Sequence, residues 1–140
     1  LVETDKYIGY IANEDIKKAP MKFIEVDIDD QKVRLYDDNK ILIESNIVTG
    51  SENTPTRVGS YYIYSKETDR YLKGPGYNSH VNFWMPFDGG IGLHDASWRN
   101  KFGDKIYIRN GSHGCVNMSY DTAEFIYENT DVGTKVLVHK

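Results

Sequence analysis

From residue 21 onward the chain runs in short apolar stretches, each cut off by a polar turn, and this pattern commits it to antiparallel β-structure. Phe23, Ile24, Val26 and Ile28 form a first run, ended by Asp29-Asp30-Gln31. Val33, Leu35 and Tyr36 form a second, ended by Asp37-Asp38-Asn39, and Ile41, Leu42, Ile43, Ile47 and Val48 form a third, stopped at Gly50. Apolar runs of this length joined by short Asp/Asn-rich turns read as hairpins. The 11 tyrosines, set among Val and Ile, suit pleated surfaces better than a helical bundle.

Further strands are expected at Tyr61–Tyr64, Val81–Phe87, Ile91–His94, Ile106–Ile108 and Val136–Val138. Lys73-Gly74-Pro75-Gly76-Tyr77-Asn78 is dense in turn formers and reads as a mobile surface loop. Ser119 is a good N-cap with Asp121 and Glu124 near the first turn, so a helix of about three turns should follow. The expected fold class is mainly β with one or two helices. Residues 1–20 are polar and end at Pro20. They read as a linker or the end of a preceding domain, with one domain over 21–140, and the chain does not open with Met.

With 140 residues the chain holds one ordinary core. Its formal net charge is −4 and no Lys/Arg run exceeds Lys17-Lys18, which argues against nucleic acid and anionic membranes as partners. No apolar stretch approaches the ~18 residues of a bilayer span. A single cysteine excludes an internal disulfide framework.

That cysteine sits where periodicity of either kind disappears. In Gly111-Ser112-His113-Gly114-Cys115-Val116-Asn117, two glycines, a hydroxyl, an imidazole and a thiol crowd between an expected strand and an expected helix. Such a turn can aim consecutive backbone N–H groups into an anion-binding nest, which suits a nucleophile whose electrophile develops an oxyanion. A free thiol of pKa about 8.5 needs a base. His94, ending the apolar run Ile91-Gly92-Leu93, is the candidate, with Asp95 orienting it through its side chain or its carbonyl. Because His94 precedes Cys115, the order differs from that of papain-like enzymes. A zinc site from His94, His113 and Cys115 is disfavoured by the His-x-Cys spacing and by the lack of a nearby fourth ligand.

Ile91-Gly92-Leu93-His94, seventeen intervening residues, then Ser112-His113-Gly114-Cys115-Val116-Asn117 resembles the signature of the YkuD-type L,D-transpeptidases. Thr49-Gly50 with Thr54-Pro55-Thr56-Arg57-Val58-Gly59, the opening meander and Gly133–Val138 are similar too, so the resemblance covers about residues 21–140. It implies a β-sandwich-like catalytic domain with a mixed sheet. It implies a cysteine acyltransferase of peptidoglycan in which Cys115 attacks the bond after residue 3 of a peptide stem. D-alanine is released, and an amine on residue 3 of a second stem accepts the acyl group. His94 becomes the base, Asp95 its orienting neighbour, and Gly114 and Cys115, with His113, the oxyanion-hole amides. Asn117 is given a structural role only, because some members carry Arg there.

Tyr77, His80, Trp84, Trp98 and Ser112 are expected to contact the stem, with Ser112 also fixing the loop. Trp98 and Arg99 follow His94 closely enough to border the site, and His139 is expected to be solvated. No cofactor or metal is expected. The resemblance further implies an extracytoplasmic, wall-associated monomeric domain with a signal or anchor upstream, open to carbapenem-type β-lactams. The alternatives are a stem-peptide thiol hydrolase of the L,D-carboxypeptidase type and a catalytically silent wall-binding module.

Overall fold

The computed structural model describes residues 22–140. The expected linker over 1–20 lies outside them. The described chain forms nine strands and two helices in two sheets. Strands β1 (Lys22–Asp27), β2 (Lys32–Asp37) and β3 (Lys40–Asn46) make the expected antiparallel meander. Asp38 and Asn39 both take positive φ, 52° and 66°, as a type I′ hairpin turn demands. The closing strand β9 (Lys135–His139) pairs parallel with β1, and β4 (Gly59–Tyr62) pairs antiparallel with β9. The order of this five-stranded sheet is β3-β2-β1-β9-β4.

The second sheet runs β5 (Glu67–Gly74), β6 (Tyr77–Asp88), β7 (Ile91–Asp95) and β8 (Val116–Met118). Its first three strands are antiparallel, and β8 joins β7 in parallel. A parallel partner needs a long crossover, and here it carries α1 (Ile106–Asn110). The second helix, α2 (Tyr120–Glu128), links β8 to β9 and starts as expected, with Ser119 Oγ accepting from Thr122 N.

The two sheets bury their facing sides against each other. Ile24, Val26, Val33, Leu35, Val136 and Val138 meet Met85, Phe87, Leu93, Val116 and Met118, with Ala123 and Ile126 of α2 closing the layer. The expected mainly β, sandwich-like architecture is thus what forms.

Three segments differ from expectation. Ile106–Ile108 is helical, not a strand. The one free edge of β7 is filled by β8, and Ile106 N and Ile108 N bond back to Gly103 and Lys105 carbonyls instead. Local β-propensity yields here to the lack of a strand partner. Lys73–Asn78 is the tip of the β5–β6 hairpin, not a free loop, with Gly74 opposite Tyr77. Strand β5 was not expected because most of its residues are exposed, which removes the in–out alternation. His139 is buried, not solvated.

The outer face of β1 and β2 carries a buried charge network. Arg34 Nη1 lies 3.1 Å from Glu25 Oε1 and 3.3 Å from Asp27 Oδ2, and His139 Nε2 lies 2.6 Å from Glu25 Oε2. Glu25, Asp27 and His139 bring possible ligand atoms within 4.8 Å of one another, but the Arg34 guanidinium already bonds both carboxylates. Burial raises the Glu25 pKa, yet the His139 hydrogen bond and the Arg34 charge bring it below the ordinary value. Burial lowers His139, and the bond to Glu25 carries it above the ordinary value.

The sign of the pH dependence follows. The His139 contribution is complete below the unfolded histidine value of about 6.5 and is lost as pH rises through the raised folded value. The Glu25 contribution is complete above about 4.3 and is lost as pH falls through the lowered one. The stability difference between wild type and His139→Gln should therefore peak near pH 5–6 and shrink on both sides. Urea midpoints of both proteins across pH 3–9 check this.

Candidate active site

Parallel pairing of β7 with β8 puts Leu93 opposite Val116 and His94 opposite Asn117. Cys115, one residue before β8, therefore falls level with Gly92. Alternation along a strand places it on the same face as His94. Both line a cleft of about 1000 Å³, as do Ser112, His113, Tyr77, His80, Trp84 and Trp98. Eight of the ten residues named from the sequence thus share one cavity; Asp95 and Gly114 do not line it.

The loop that carries Cys115 is tied down from below. The segment Ile47–Ser51 bridges to it at Val48–Asn117 and Gly50–Ser112. Thr54 Oγ1 donates to the Ser112 carbonyl at 2.9 Å, and Thr56 Oγ1 donates to the Gly114 carbonyl at 2.6 Å while accepting from Gly50 N at 3.0 Å. Gly50 is obligatory, since a Cβ there would stand 2.0 Å from the Thr54 carbonyl oxygen. Gln31, fully buried, anchors this platform to the β1–β2 turn by bonding Thr49 through both ends of its amide.

Within the loop, Gly114 takes φ +124°, which L side chains rarely adopt. Its N–H donates to Ser112 Oγ at 3.1 Å, and the same hydroxyl donates to the Cys115 carbonyl. Ser112 thus fixes the loop, as expected, with its hydroxyl engaged there while the residue borders the cleft, and the expectation for Gly114 is corrected. Gly114 shapes the turn, and its amide is already engaged. Among the described residues, the backbone N–H groups of His113 and Cys115 have no acceptor.

His94 is 3% exposed and lies between Trp84 and Trp98, with ring centroids 5.9 Å away on each side. Its Nδ1 lies 2.7 Å from the backbone carbonyl of Asp95. A carbonyl only accepts, so Nδ1 carries the hydrogen and Nε2 keeps the lone pair. The Asp95 carboxylate is turned away, accepting from the Asn82 and Phe83 amides and from Asn82 Nδ2. Of the two ways Asp95 was expected to orient His94, the carbonyl is the one that forms.

Burial is the main cause lowering the His94 pKa, and the Arg99 charge adds to it. Burial likewise pushes the Cys115 thiol up to about 11. The resting pair is therefore neutral thiol and neutral imidazole, with Sγ 3.8 Å from the Gly90 carbonyl oxygen.

Tyr77, at the tip of the β5–β6 hairpin, stacks on His113 with centroids 4.6 Å apart and planes 15° off parallel. His80 Nε2 is bonded to Asp69 Oδ1 at 2.5 Å, so its imidazole is partnered at the cleft wall. Trp84 is buried and Trp98 is 51% exposed, giving the cleft one fixed and one solvent-facing indole. The sequence missed Arg70 and Lys73, which lie on the unrecognised β5, and it undervalued Asn117, which lines the cleft.

The family model of the YkuD L,D-transpeptidase catalytic domain matches residues 21–138. The chain belongs to this family. It is similar to the probable L,D-transpeptidase 3 of Mycobacterium tuberculosis, 29% identical over 65% of this chain and 36% of that protein. It is also similar to the putative L,D-transpeptidase YciB of Bacillus subtilis, 24% identical over 89% of this chain and 68% of that one. Among solved structures, a cysteine-to-serine mutant of Enterococcus faecium L,D-transpeptidase superposes with a TM-score of 0.83 at 37% identity, covering 87% of this chain and 51% of that one. The catalytic domain from the same enzyme acylated by ertapenem gives 0.79 at 38%, covering 86% and 98%. The chain thus spans about a third of the mycobacterial relative and about half of the enterococcal enzyme.

Two outcomes are expected of this family member's site. Alkylation of Cys115 by iodoacetamide should climb about tenfold per pH unit to pH 10, without the plateau near 8.5 that an ordinary thiol shows; initial rates by intact mass check it. Thr56→Val should leave Gly50 N and the Gly114 carbonyl unpaired, costing about 2 kcal/mol in urea denaturation.

Proposed function

We propose that this domain is a peptidoglycan L,D-transpeptidase that works through a thioester on Cys115. The observation that carries the proposal is a single thiol beside a histidine whose lone pair is fixed on Nε2, at a loop whose Cys115 and His113 amides have no acceptor among the described residues.

His94 Nε2 takes the Sγ proton as sulfur attacks the carbonyl carbon of stem residue 3. The oxyanion of the tetrahedral intermediate lies against the Cys115 and His113 amides. The intermediate collapses by expelling D-alanine, whose amine receives the proton from His94, and leaves the thioester. An amine on residue 3 of a second stem then attacks the thioester and gives its proton to Nε2. Collapse forms the 3–3 amide, and sulfur leaves as thiolate and regains the proton. Two neutral partners suit this sequence, because the proton moves only as the C–S bond forms. The domain acts in the cell wall, outside the cytoplasm. Carbapenems, one of which acylates the enterococcal catalytic domain, acylate Cys115 in the same way.

The test is incubation with a disaccharide-tetrapeptide, followed by intact mass and product analysis. Wild type should show a covalent adduct, free D-alanine and a stem dimer. Cys115→Ala should lose all three, and His94→Ala should lower acylation by at least ~10²-fold. Unchanged activity in Cys115→Ala sinks the proposal. Tripeptide without dimer makes the domain a hydrolase.

A further inference from the structure

The cleft is electrostatically one-sided. Arg70, Lys73 and Arg99 line it and no Asp or Glu does, although the chain carries a formal net charge of −4. The three cations are not equivalent. Arg70 is paired with Glu67 at 2.6 Å, and Lys73 is exposed on the hairpin. Arg99 has no ion-pair partner among the described residues. Its Nη1 donates to the Asn110 carbonyl at 2.8 Å, which fixes the guanidinium, and its buried Nε has no acceptor.

One other buried side-chain polar atom among the described residues lacks a partner. It is Asn117 Oδ1, and Asn117 lines the same cleft as the register partner of His94. Buried polar groups are ordinarily paired. Here one unpaired donor and one unpaired acceptor belong to two residues that line the cavity holding His94. Together they complement a group bearing both an N–H and a carboxylate.

Arg99 is the guanidinium whose charge acts on the His94 imidazole. On the transpeptidase reading, on which this inference rests, His94 protonates the leaving amine. The carboxylate of the departing residue is one carbon beyond that amine, so it must come to rest near His94. A planar guanidinium matches a carboxylate through two parallel N–H bonds. We propose that Arg99 is the specificity residue that binds the C-terminal carboxylate of the donor stem, with Asn117 Oδ1 accepting from the scissile N–H. The site thereby reads where the stem ends. A donor whose terminal carboxylate is amidated presents no anion to Arg99.

The experiment compares acylation of Cys115 by a tetrapeptide stem with that by its C-terminal carboxamide, as kcat/KM for D-alanine or D-alaninamide release without acceptor. Wild type should favour the free carboxylate by about tenfold or more. In Arg99→Gln the ratio should fall close to one, through a rise in KM on the carboxylate donor, and Arg99→Lys should retain part of it. Equal use of both donors by wild type overturns the proposal and leaves the cysteine chemistry standing; this arm needs no variant to fold. A ratio preserved in Arg99→Gln overturns it as well. Absence of acylation by either donor overturns the transpeptidase reading together with this one.

Discussion

The parallel pairing of β7 with β8 is the constraint on which the site depends. One ladder sets His94 and the approach to Cys115 side by side, although they lie twenty-one positions apart in the chain. A parallel strand cannot be reached by a tight turn, so a long crossover is unavoidable. That crossover returns through the Ser112–Cys115 loop, where the chain must bend into β8. Cys115 and His94 therefore inherit their spacing from backbone hydrogen bonds, and no flexible side chain has to set it.

The platform beneath the loop explains the Thr-Pro-Thr segment in physical terms. Thr54 and Thr56 each bond a carbonyl of the Ser112–Cys115 loop, and Pro55 stiffens the chain between them. Gln31 extends the connection to the first hairpin of the other sheet. The loop is thus supported from both halves of the sandwich, which is how a glycine-rich turn can hold two amides in place.

The sequence disclosed what local chemistry and periodicity encode. The β1–β3 meander has alternation and an Asp-Asn turn, and the α2 cap has its serine. Cys115 and His94 stood out because a thiol between glycines and a histidine at the end of an apolar strand are odd as mere packing. What stayed hidden depends on tertiary partners. Glu67–Gly74 forms a strand mostly exposed to solvent, so no pattern marks it, and Arg70 and Lys73 were lost with it. Ile106–Ile108 has strand composition but no edge to join. His139 looked terminal and solvated, yet Glu25 lies 114 positions away in sequence and 2.6 Å away in space. Asn117 and Arg99 owe their meaning to unpaired atoms, which only coordinates reveal.

The burial that pushes the Cys115 thiol up to about 11 has a consequence for survival. Peroxide and disulfides attack or exchange with the thiolate, and susceptibility follows thiolate character and access. A lone cysteine of ordinary acidity would be steadily oxidised in an oxidising compartment. With its pKa raised by burial, Cys115 offers little thiolate for such reactions at neutral pH. Desolvation thus shields the one thiol of the chain from small oxidants.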